Sequence, residues 1–141
     1  IVALYIFNEK HEALIAKRQS TKNIDPNLWG PSVAGTVDEG YDYDATVLKE
    51  AEEEVGLRNI QPIFLKKMFY ETANARRFTG VYYCYVNSVE TQFVLQVDEV
   101  AEVKWISLPD LEEWYSKNPE DFVPSFYRTL ENIKEIYANK N

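Results

Sequence analysis

The chain has 141 residues, of which 45% are hydrophobic, so we expect one folded domain over residues 1–141 and exclude a disordered chain. Its formal net charge of −8 argues against a long nucleic acid as partner, because a phosphate backbone requires a basic surface. The single cysteine, Cys84, rules out an internal disulfide and suits a reducing compartment, and no apolar run is long enough to span a membrane. We therefore expect a cytoplasmic protein without membrane contact.

Hydrophobic periodicity predicts several strands around one central helix. A buried strand at residues 1–7 and a second at 13–19 form a hairpin, which a polar loop over residues 20–31 follows. The remaining predicted elements are a short strand at 32–37, a helix at 42–56, strands at 61–71, 77–87 and 100–107, and helices at 109–117 and 123–138. This order predicts an α/β fold in which a mixed sheet packs between helices.

The central predicted helix carries three glutamates on one side. At about 100° per residue, Glu50, Glu53 and Glu54 fall within an arc of roughly 100°. The opposite side, which we expect to face the core, carries Leu48, Ala51 and Val55. Carboxylates ~5 Å apart repel one another by about 3 kcal/mol per pair at a dielectric near 20. A hard divalent cation that prefers oxygen ligands, Mg²⁺, Mn²⁺ or Ca²⁺, would relieve that repulsion.

An acidic helix face is often only solvated surface, so the residues that flank the glutamates matter. Asp42 is a suitable N-cap, and Gly35 and Gly40 punctuate a tight loop that enters the helix. Gly56 stands where a helix C-terminus needs a left-handed residue, and the apolar Leu57 follows it. An ordinary solvated helix does not need an entry loop bounded by glycines, so this context favours a cation site on the three glutamates.

Residues 35–57, GTVDEGYDYDATVLKEAEEEVGL, resemble the signature of the Nudix family, GX5EX7REUXEEXGU, in which U is a bulky aliphatic residue. The three glutamates that this family uses as metal ligands are all present. The chain departs from the signature where Tyr41 replaces the first glutamate, Lys49 the arginine and Ala51 the aliphatic residue. In the family, that first glutamate and the arginine pair and brace the loop against the helix, so both partners of the brace are changed together.

Segments outside the signature extend the resemblance to the Nudix branch related to isopentenyl-diphosphate isomerases. They cover residues 14–37, 96–114 and 119–126. The resemblance implies an α/β/α sandwich and hydrolysis of a diphosphate linkage in a nucleoside diphosphate derivative. It also implies Mg²⁺ as the metal ion, with Mn²⁺ as a substitute, and a small nucleotide-like substrate. Dimers are common among related proteins, so a homodimer is a further expectation.

The resemblance also implies roles for individual acidic residues. Glu50, Glu53 and Glu54 would hold the metal ion, which offsets phosphate charge and lowers the pKa of a bound water. A carboxylate would then serve as general base for attack of that water on phosphorus. The candidates for the base are Glu53 and Glu99, which lies in the loop before the strand at 100–107; a solvated loop acid is the alternative for Glu99.

Three further residues are candidates for substrate binding. Arg18 ends the second strand, where the family often places an arginine that meets phosphate, although a surface arginine explains it equally well. Arg77 is predicted at a turn between two strands, where it could meet substrate; a solvated hairpin charge is the alternative. Gly35 suits a close approach of the backbone to phosphate or metal, which requires the missing side chain.

Two other functions are compatible with the resemblance. A catalytically weak Nudix module would bind a nucleotide or a partner without cleaving it, and the changed brace at Tyr41 and Lys49 favours this reading; the intact glutamates oppose it. Isomerisation of isopentenyl diphosphate is the second alternative. The isomerases use a cysteine ahead of the signature and several histidines, whereas here Cys84 lies beyond the signature and His11 is the one histidine.

Overall fold

The structure is a computed structural model that describes residues 1–73 and 75–139. Within these residues the strands are β1 (Val2–Phe7), β2 (Ala13–Arg18), β3 (Trp29–Gly30), β4 (Val33–Gly35), β5 (Ile63–Thr72), β6 (Ala75–Tyr85) and β7 (Val100–Ile106). The helices are α1 (Tyr43–Val55), α2 (Leu108–Lys117) and α3 (Phe126–Asn139), with a short 3-10 helix at Pro119–Asp121. Each predicted element is present, within a few residues of its predicted bounds.

The strands form one mixed sheet with β1 near its centre. β1 runs parallel to β6, and β6 is antiparallel to β5. The first half of β1 pairs with β4, where Val2 lies opposite Gly35, and the last residue of β1 pairs with the first residue of β2. β2 in turn pairs with β3 and β7. This topology brings the end of β4 and the end of β2 to the same side of the molecule as α1.

Helices cover both faces of the sheet. Alternate residues of β1 point to opposite faces, and all six are buried, which requires apolar partners on both sides. The face toward α1 carries Val2, Leu4 and Ile6, in one cluster with the buried side of α1. The face toward α3 carries Ala3, Tyr5 and Phe7, in one cluster with α3. The predicted α/β/α sandwich with a mixed sheet between helices is confirmed.

The buried face of α1 differs from the predicted one at Leu48. That side chain is 45% exposed, whereas Val47 is 1% exposed and packs on the sheet with Ala51 and Val55. Either Leu48 or Val47 could lie on one helix face with Ala51 and Val55. Packing against the sheet buries Val47, which is spaced four residues from Ala51. In projection, Val47 lies only about 20° from Glu54. The core face therefore adjoins the glutamates instead of lying opposite them.

The ends of α1 form as the flanking residues predict. The Asp42 side chain caps the helix, since its Oδ1 accepts a hydrogen bond of 2.7 Å from the Ala45 N–H. Gly56 has a φ of 70°, and its N–H donates to the Glu52 carbonyl. The Leu57 N–H then donates to the Ala51 carbonyl at 3.1 Å, so two carbonyls of the last turn are satisfied. None of the helices in the described ranges is long and apolar enough to cross a membrane.

Candidate active site

An acidic cavity of about 410 Å³ lies where α1, the ends of β2 and β4, and the loop before β7 meet. It brings together six of the seven residues that the sequence singles out: Arg18, Gly35, Glu50, Glu53, Glu54 and Glu99. These residues come from four separate stretches of the chain. We name this space the acidic cavity.

The seventh residue, Arg77, does not line the acidic cavity. β6 begins at Ala75, so Arg77 lies within a strand, opposite Tyr70, and not at the predicted turn. It lines a second cavity, on the side of the sheet that α3 covers. The structure therefore separates Arg77 from the glutamates.

Glu54 is the glutamate whose environment differs most from water. Burial, followed by a hydrogen bond with the Glu50 side chain and the nearby charges of Glu50 and Glu99, raises the pKa of the Glu54 carboxyl to about 9. A hydrogen bond from the Ala34 backbone acts in the opposite direction. The burial follows from the position of Glu54 beside Val47, on the edge of the core face. With its pKa raised in this way, Glu54 favours the protonated form near neutral pH in the absence of a cation, and its carboxyl group hydrogen-bonds with that of Glu50.

Gly35 lets the Glu50 carboxyl group lie against β4. A Cβ atom at position 35 would lie 2.4 Å from Glu50 Cδ and 2.8 Å from its Oε2, far inside van der Waals contact. Any side chain there would displace the carboxyl group. Gly35 thus shapes the acidic cavity through the space it leaves for Glu50.

Glu53 contacts the residue that replaces the arginine of the signature. Its Oε1 lies 3.7 Å from Lys49 Nζ, and both side chains are about half exposed, so this ion pair stabilises the fold only weakly. Tyr41, at the place of the first glutamate, is 61% exposed. The described contacts therefore show Lys49 paired with Glu53 and no brace between Lys49 and Tyr41.

The loop that carries Glu99 is held against the C-terminus of α1. The Val94 N–H donates to the Val55 carbonyl and the Gln96 N–H to the Glu54 carbonyl, each at 2.9 Å. These bonds satisfy carbonyls that the end of a helix leaves unpaired. They also bring Glu99 into the acidic cavity, where its Oε2 accepts a hydrogen bond from Lys22 Nζ at 2.6 Å.

Arg18 lies at the rim of the acidic cavity in a fixed position. Its backbone N–H donates to the Leu28 carbonyl, and its side-chain Nε donates to the Ile24 carbonyl at 3.0 Å. The second bond uses one of the five N–H donors of the guanidinium group. The remaining donors suit an anion that enters the cavity.

Several polar residues of the acidic cavity escaped the sequence reasoning. Lys22 lies in the loop after β2, Thr36 and Asp38 lie in the loop after β4, and Gln96 lies in the loop before β7. The Lys22–Glu99 contact joins residues 77 positions apart, so no local pattern indicates it. Only the folded chain brings the two loops together.

The glutamates do not form a ready metal site as they stand. Among the residues that the structure describes, no group of three acidic, histidine or cysteine side chains is arranged to hold a metal ion. The cause is local, because Glu50 and Glu54 share a hydrogen bond while Glu53 turns to Lys49. The donor set nevertheless fits a hard divalent cation, since carboxylates that meet in one cavity are the ligands such an ion prefers.

Comparison with known proteins identifies relatives over the whole chain. The NUDIX domain family profile matches residues 1–126. An uncharacterised Nudix hydrolase of Listeria innocua is 30% identical over 142 residues, which cover 100% of this chain and 78% of that protein. An isopentenyl-diphosphate Delta-isomerase of Shigella flexneri serotype 5b is 27% identical over 123 residues, which cover 85% of this chain and 68% of the isomerase.

Solved structures share the fold. A crystal structure of a Deinococcus radiodurans protein superposes with a TM-score of 0.79 at 18% identity, covering 96% of this chain and 81% of the other. The NUDIX domain of Shewanella oneidensis NrtR, solved with ADP ribose, superposes with a TM-score of 0.72 at 20% identity and covers 96% and 86%. At these identities the likeness concerns the fold alone. The family profile, by contrast, spans most of the sequence, and the chain belongs to the Nudix family.

Proposed function

We propose that the protein is a hydrolase that cleaves a diphosphate linkage in a nucleoside diphosphate derivative and depends on Mg²⁺, for which Mn²⁺ can substitute. The observation that carries this proposal is the contact between Glu50 and Glu54 inside a cavity that Glu53 and Glu99 also line. Asp38 lines the same cavity, and five carboxyl groups gathered there, in a chain of this family, support metal-assisted attack of water on phosphorus.

Glu50, Glu53 and Glu54 would hold the metal ion, which supplies charge stabilisation of the phosphate groups and a bound water of lowered pKa. Glu54 would lose its proton when the metal ion binds, because a carboxyl group binds a cation in its ionised form. Rotation of Glu53 away from Lys49 would complete the ligand set.

Glu53 and Glu99 remain the two candidates for the general base. Lys22 Nζ lies 2.6 Å from Glu99 Oε2, so it orients that carboxylate and leaves the other oxygen to accept a proton. Arg18 at the rim suits binding of a substrate phosphate, through the guanidinium donors that Ile24 does not use. Gly35 supports both roles indirectly, since it keeps the Glu50 carboxyl group in place.

The sequence similarity to isomerases does not extend to their chemistry. Cys84 is 2% exposed, and burial raises the pKa of its thiol to about 12, so it is not available as a reactive thiolate. It belongs to the cluster of core residues between α1 and the sheet. We therefore favour hydrolysis over isomerisation for this chain.

The proposal is tested by hydrolysis of a substrate panel with and without Mg²⁺. The panel holds ADP-ribose, a nucleotide sugar, a dinucleoside polyphosphate and an oxidised nucleoside triphosphate. Glu54→Gln and Glu53→Gln should each lower kcat/KM by about 100-fold or more. The control is Glu52→Gln, because Glu52 lies on the same helix but pairs with Arg58 at 3.1 Å and does not line the acidic cavity.

A metal-dependent activity that Glu52→Gln retains and Glu54→Gln loses would support the proposal. Equal activity in all variants would contradict it. The absence of any cleavage would instead favour a binding module. This is the second candidate, because among the described residues Lys49 pairs with Glu53 and makes no contact with the exposed Tyr41.

A further inference from the structure

The strand β5 forms one edge of the sheet and has a free side. It pairs with β6, and no other strand within the described residues pairs with it. The backbone hydrogen bonds that the described chain makes outside its helices and strands do not involve residues 63–72 either. An edge strand of ten residues therefore leaves N–H and C=O groups unpaired along one side, where a further strand can bind.

Two phenylalanine rings lie exposed at this edge, on the α1 side of the sheet. Phe69 of β5 lies opposite Phe78 of β6, with ring centroids 4.9 Å apart. Lys67 Nζ lies 4.8 Å from the centroid of the Phe78 ring and 5.1 Å from that of Tyr43 in α1, which fixes the side. Phe69 and Phe78 are 47% and 48% exposed, because α1 packs over β1 and leaves the outer strands uncovered. Apolar rings that remain in water favour an apolar partner.

Charges of opposite sign flank Phe69 on the same face of β5. Lys67 and Glu71 lie two residues before and after Phe69, so all three side chains point to one side of the sheet. Glu71 pairs with Arg76, whose guanidinium lies 5.8 Å from the centroid of the Phe69 ring. Among the residues that the structure describes, Lys67 has no carboxylate partner, whereas Lys66 on the other face forms an ion pair with α3 at 2.7 Å.

This arrangement is complementary to itself about a two-fold axis. If the axis passes through Phe69 perpendicular to the sheet, β5 pairs antiparallel with β5 of a second copy. Phe69 then lies opposite Phe69 of the second copy, and Lys67 lies opposite its Glu71, twice in each dimer. Aromatic pairs and pairs of opposite charge both stabilise an antiparallel ladder.

Neighbouring registers lack this match. A slip that keeps the same faces together places Phe69 opposite either Lys67 or Glu71 of the second copy, and neither slip pairs the two opposite charges. In the matched register, Phe69 and Phe78 of both copies form one row of four rings across four strands. Lysine on an edge strand usually opposes pairing, but here the second copy supplies the carboxylate that Lys67 lacks.

We propose that β5 is the interface of a homodimer, in which two sheets join through an antiparallel pair of β5 strands centred on Phe69. The partner is a second copy because an aromatic centre with opposite charges at equal distances on either side matches itself. β6 and β1 separate β5 from β2, and none of the described residues of β5 lines the acidic cavity. The dimer therefore leaves both acidic cavities open, and the inference does not depend on the proposed function.

Sedimentation equilibrium over a range of protein concentrations measures the dissociation constant of the dimer. In Lys67→Glu and in Glu71→Lys both pairs become like charges, so we expect this constant to rise by about tenfold or more. The double variant Lys67→Glu/Glu71→Lys restores opposite charges across the axis and should recover the dimer. Lys66→Glu is the matched control, because it changes the net charge equally on the other face of β5, and it should dimerise like the unaltered protein.

Cross-linking with a mild oxidant tests the register directly. In Phe69→Cys the two new thiols lie at directly opposite positions, where Cβ atoms are ~5 Å apart, so a disulfide between the copies should form. Phe78→Cys is the matched control, because Phe78 is equally exposed on the same face but lies three strand spacings, ~14 Å, from its counterpart. Cys84 is 2% exposed, so the unaltered protein should not cross-link.

Several results would overturn the inference. A protein that is monomeric at every concentration would leave the β5 edge to another kind of partner. A dimer that Lys67→Glu and Glu71→Lys do not weaken, or that the double variant does not recover, would contradict the proposed pairing. Equal cross-linking of Phe69→Cys and Phe78→Cys, or none in either, would also contradict it. A variant that merely fails to fold is recognised by thermal unfolding, and a second substitution would not rescue it.

Discussion

A single missing side chain decides where the Glu50 carboxyl group lies. In Gly35→Ala, the new Cβ would meet Glu50 Cδ at 2.4 Å, and the carboxyl group would have to move away. The end of a flexible side chain moves at little cost, so we expect the free energy of unfolding to change by less than about 1 kcal/mol. Hydrolysis should fall by about tenfold or more, because a proposed metal ligand would be displaced.

The control for this variant is Gly30→Ala. Its Cβ would lie 3.7 Å from the Val123 methyl groups, which is ordinary contact, so its hydrolysis should stay close to that of the unaltered protein. Steady-state kinetics and urea unfolding of both variants check the prediction. An active Gly35→Ala would show that the position of Glu50 does not matter.

Glu54 makes the stability of the metal-free protein depend on pH. Its folded pKa of about 9 exceeds the 4.5 of an ordinary glutamate, so between these values the folded state binds more protons than the unfolded state. The contribution of Glu54 to the free energy of unfolding therefore falls as pH rises through this window. Glu54→Gln removes that titration. The free energy of unfolding of this variant, relative to that of the unaltered protein, should therefore increase with pH.

Urea unfolding in EDTA at about pH 6 and about pH 8.5 measures this difference. In saturating Mg²⁺ the advantage of Glu54→Gln should disappear, because on the proposed function the ion would bind the ionised carboxylate and so stabilise the unaltered protein. A difference between the two proteins that is the same at both pH values in EDTA would contradict the burial of Glu54 beside Glu50.

At the scale of the element, periodicity predicted α1 but not its rotation. The caps at Asp42 and Gly56 and the shared side of the glutamates follow from local rules, and the structure confirms them. Leu48 and Val47 fit the helical period equally well, so the sequence alone does not decide which of them is buried. Packing on the sheet selects Val47. The same rotation of α1 leaves Glu54 half-buried beside the core face.

Gly56 allows both a positive φ and a close approach of Val94 at the end of α1, and a comparison with Gly40 separates the two effects. Both glycines have positive φ, 70° and 88°, so alanine costs each about 1 kcal/mol in backbone strain. At position 56 a Cβ would also lie 2.8 Å from Val94 Cβ, whereas nothing lies within 4 Å at position 40. We expect Gly56→Ala to lose at least about 1 kcal/mol more than Gly40→Ala in urea unfolding.

Gly56→Ala should also lower hydrolysis, because it pushes away the loop that brings Glu99 into the acidic cavity. Equal losses of stability in both glycine variants would mean that the contact with Val94 does not constrain this loop.

At the scale of the whole molecule, the candidate sites depend on contacts that no local pattern records. Lys22 meets Glu99 across 77 positions, and Arg77 lies on the opposite side of the sheet from the glutamates. Residues on one helix or in one signature, such as Glu50 and Glu54, could be placed from sequence because a single element fixes their spacing. The cavity that Arg77 lines could not be predicted from sequence, because it forms only when α3 packs on β5 and β6.

The net charge of −8 concentrates in part on the acidic cavity, and the central claim is that this cavity binds Mg²⁺. The most direct measurement is thermal unfolding of the unaltered protein, Glu54→Gln and Glu52→Gln over a titration of Mg²⁺. At about 100 times its dissociation constant, the ion should stabilise the unaltered protein and Glu52→Gln by ~2.7 kcal/mol, with a matching rise in Tm, and Glu54→Gln far less. No rise in Tm with Mg²⁺, or an equal rise in Glu54→Gln, would contradict the account.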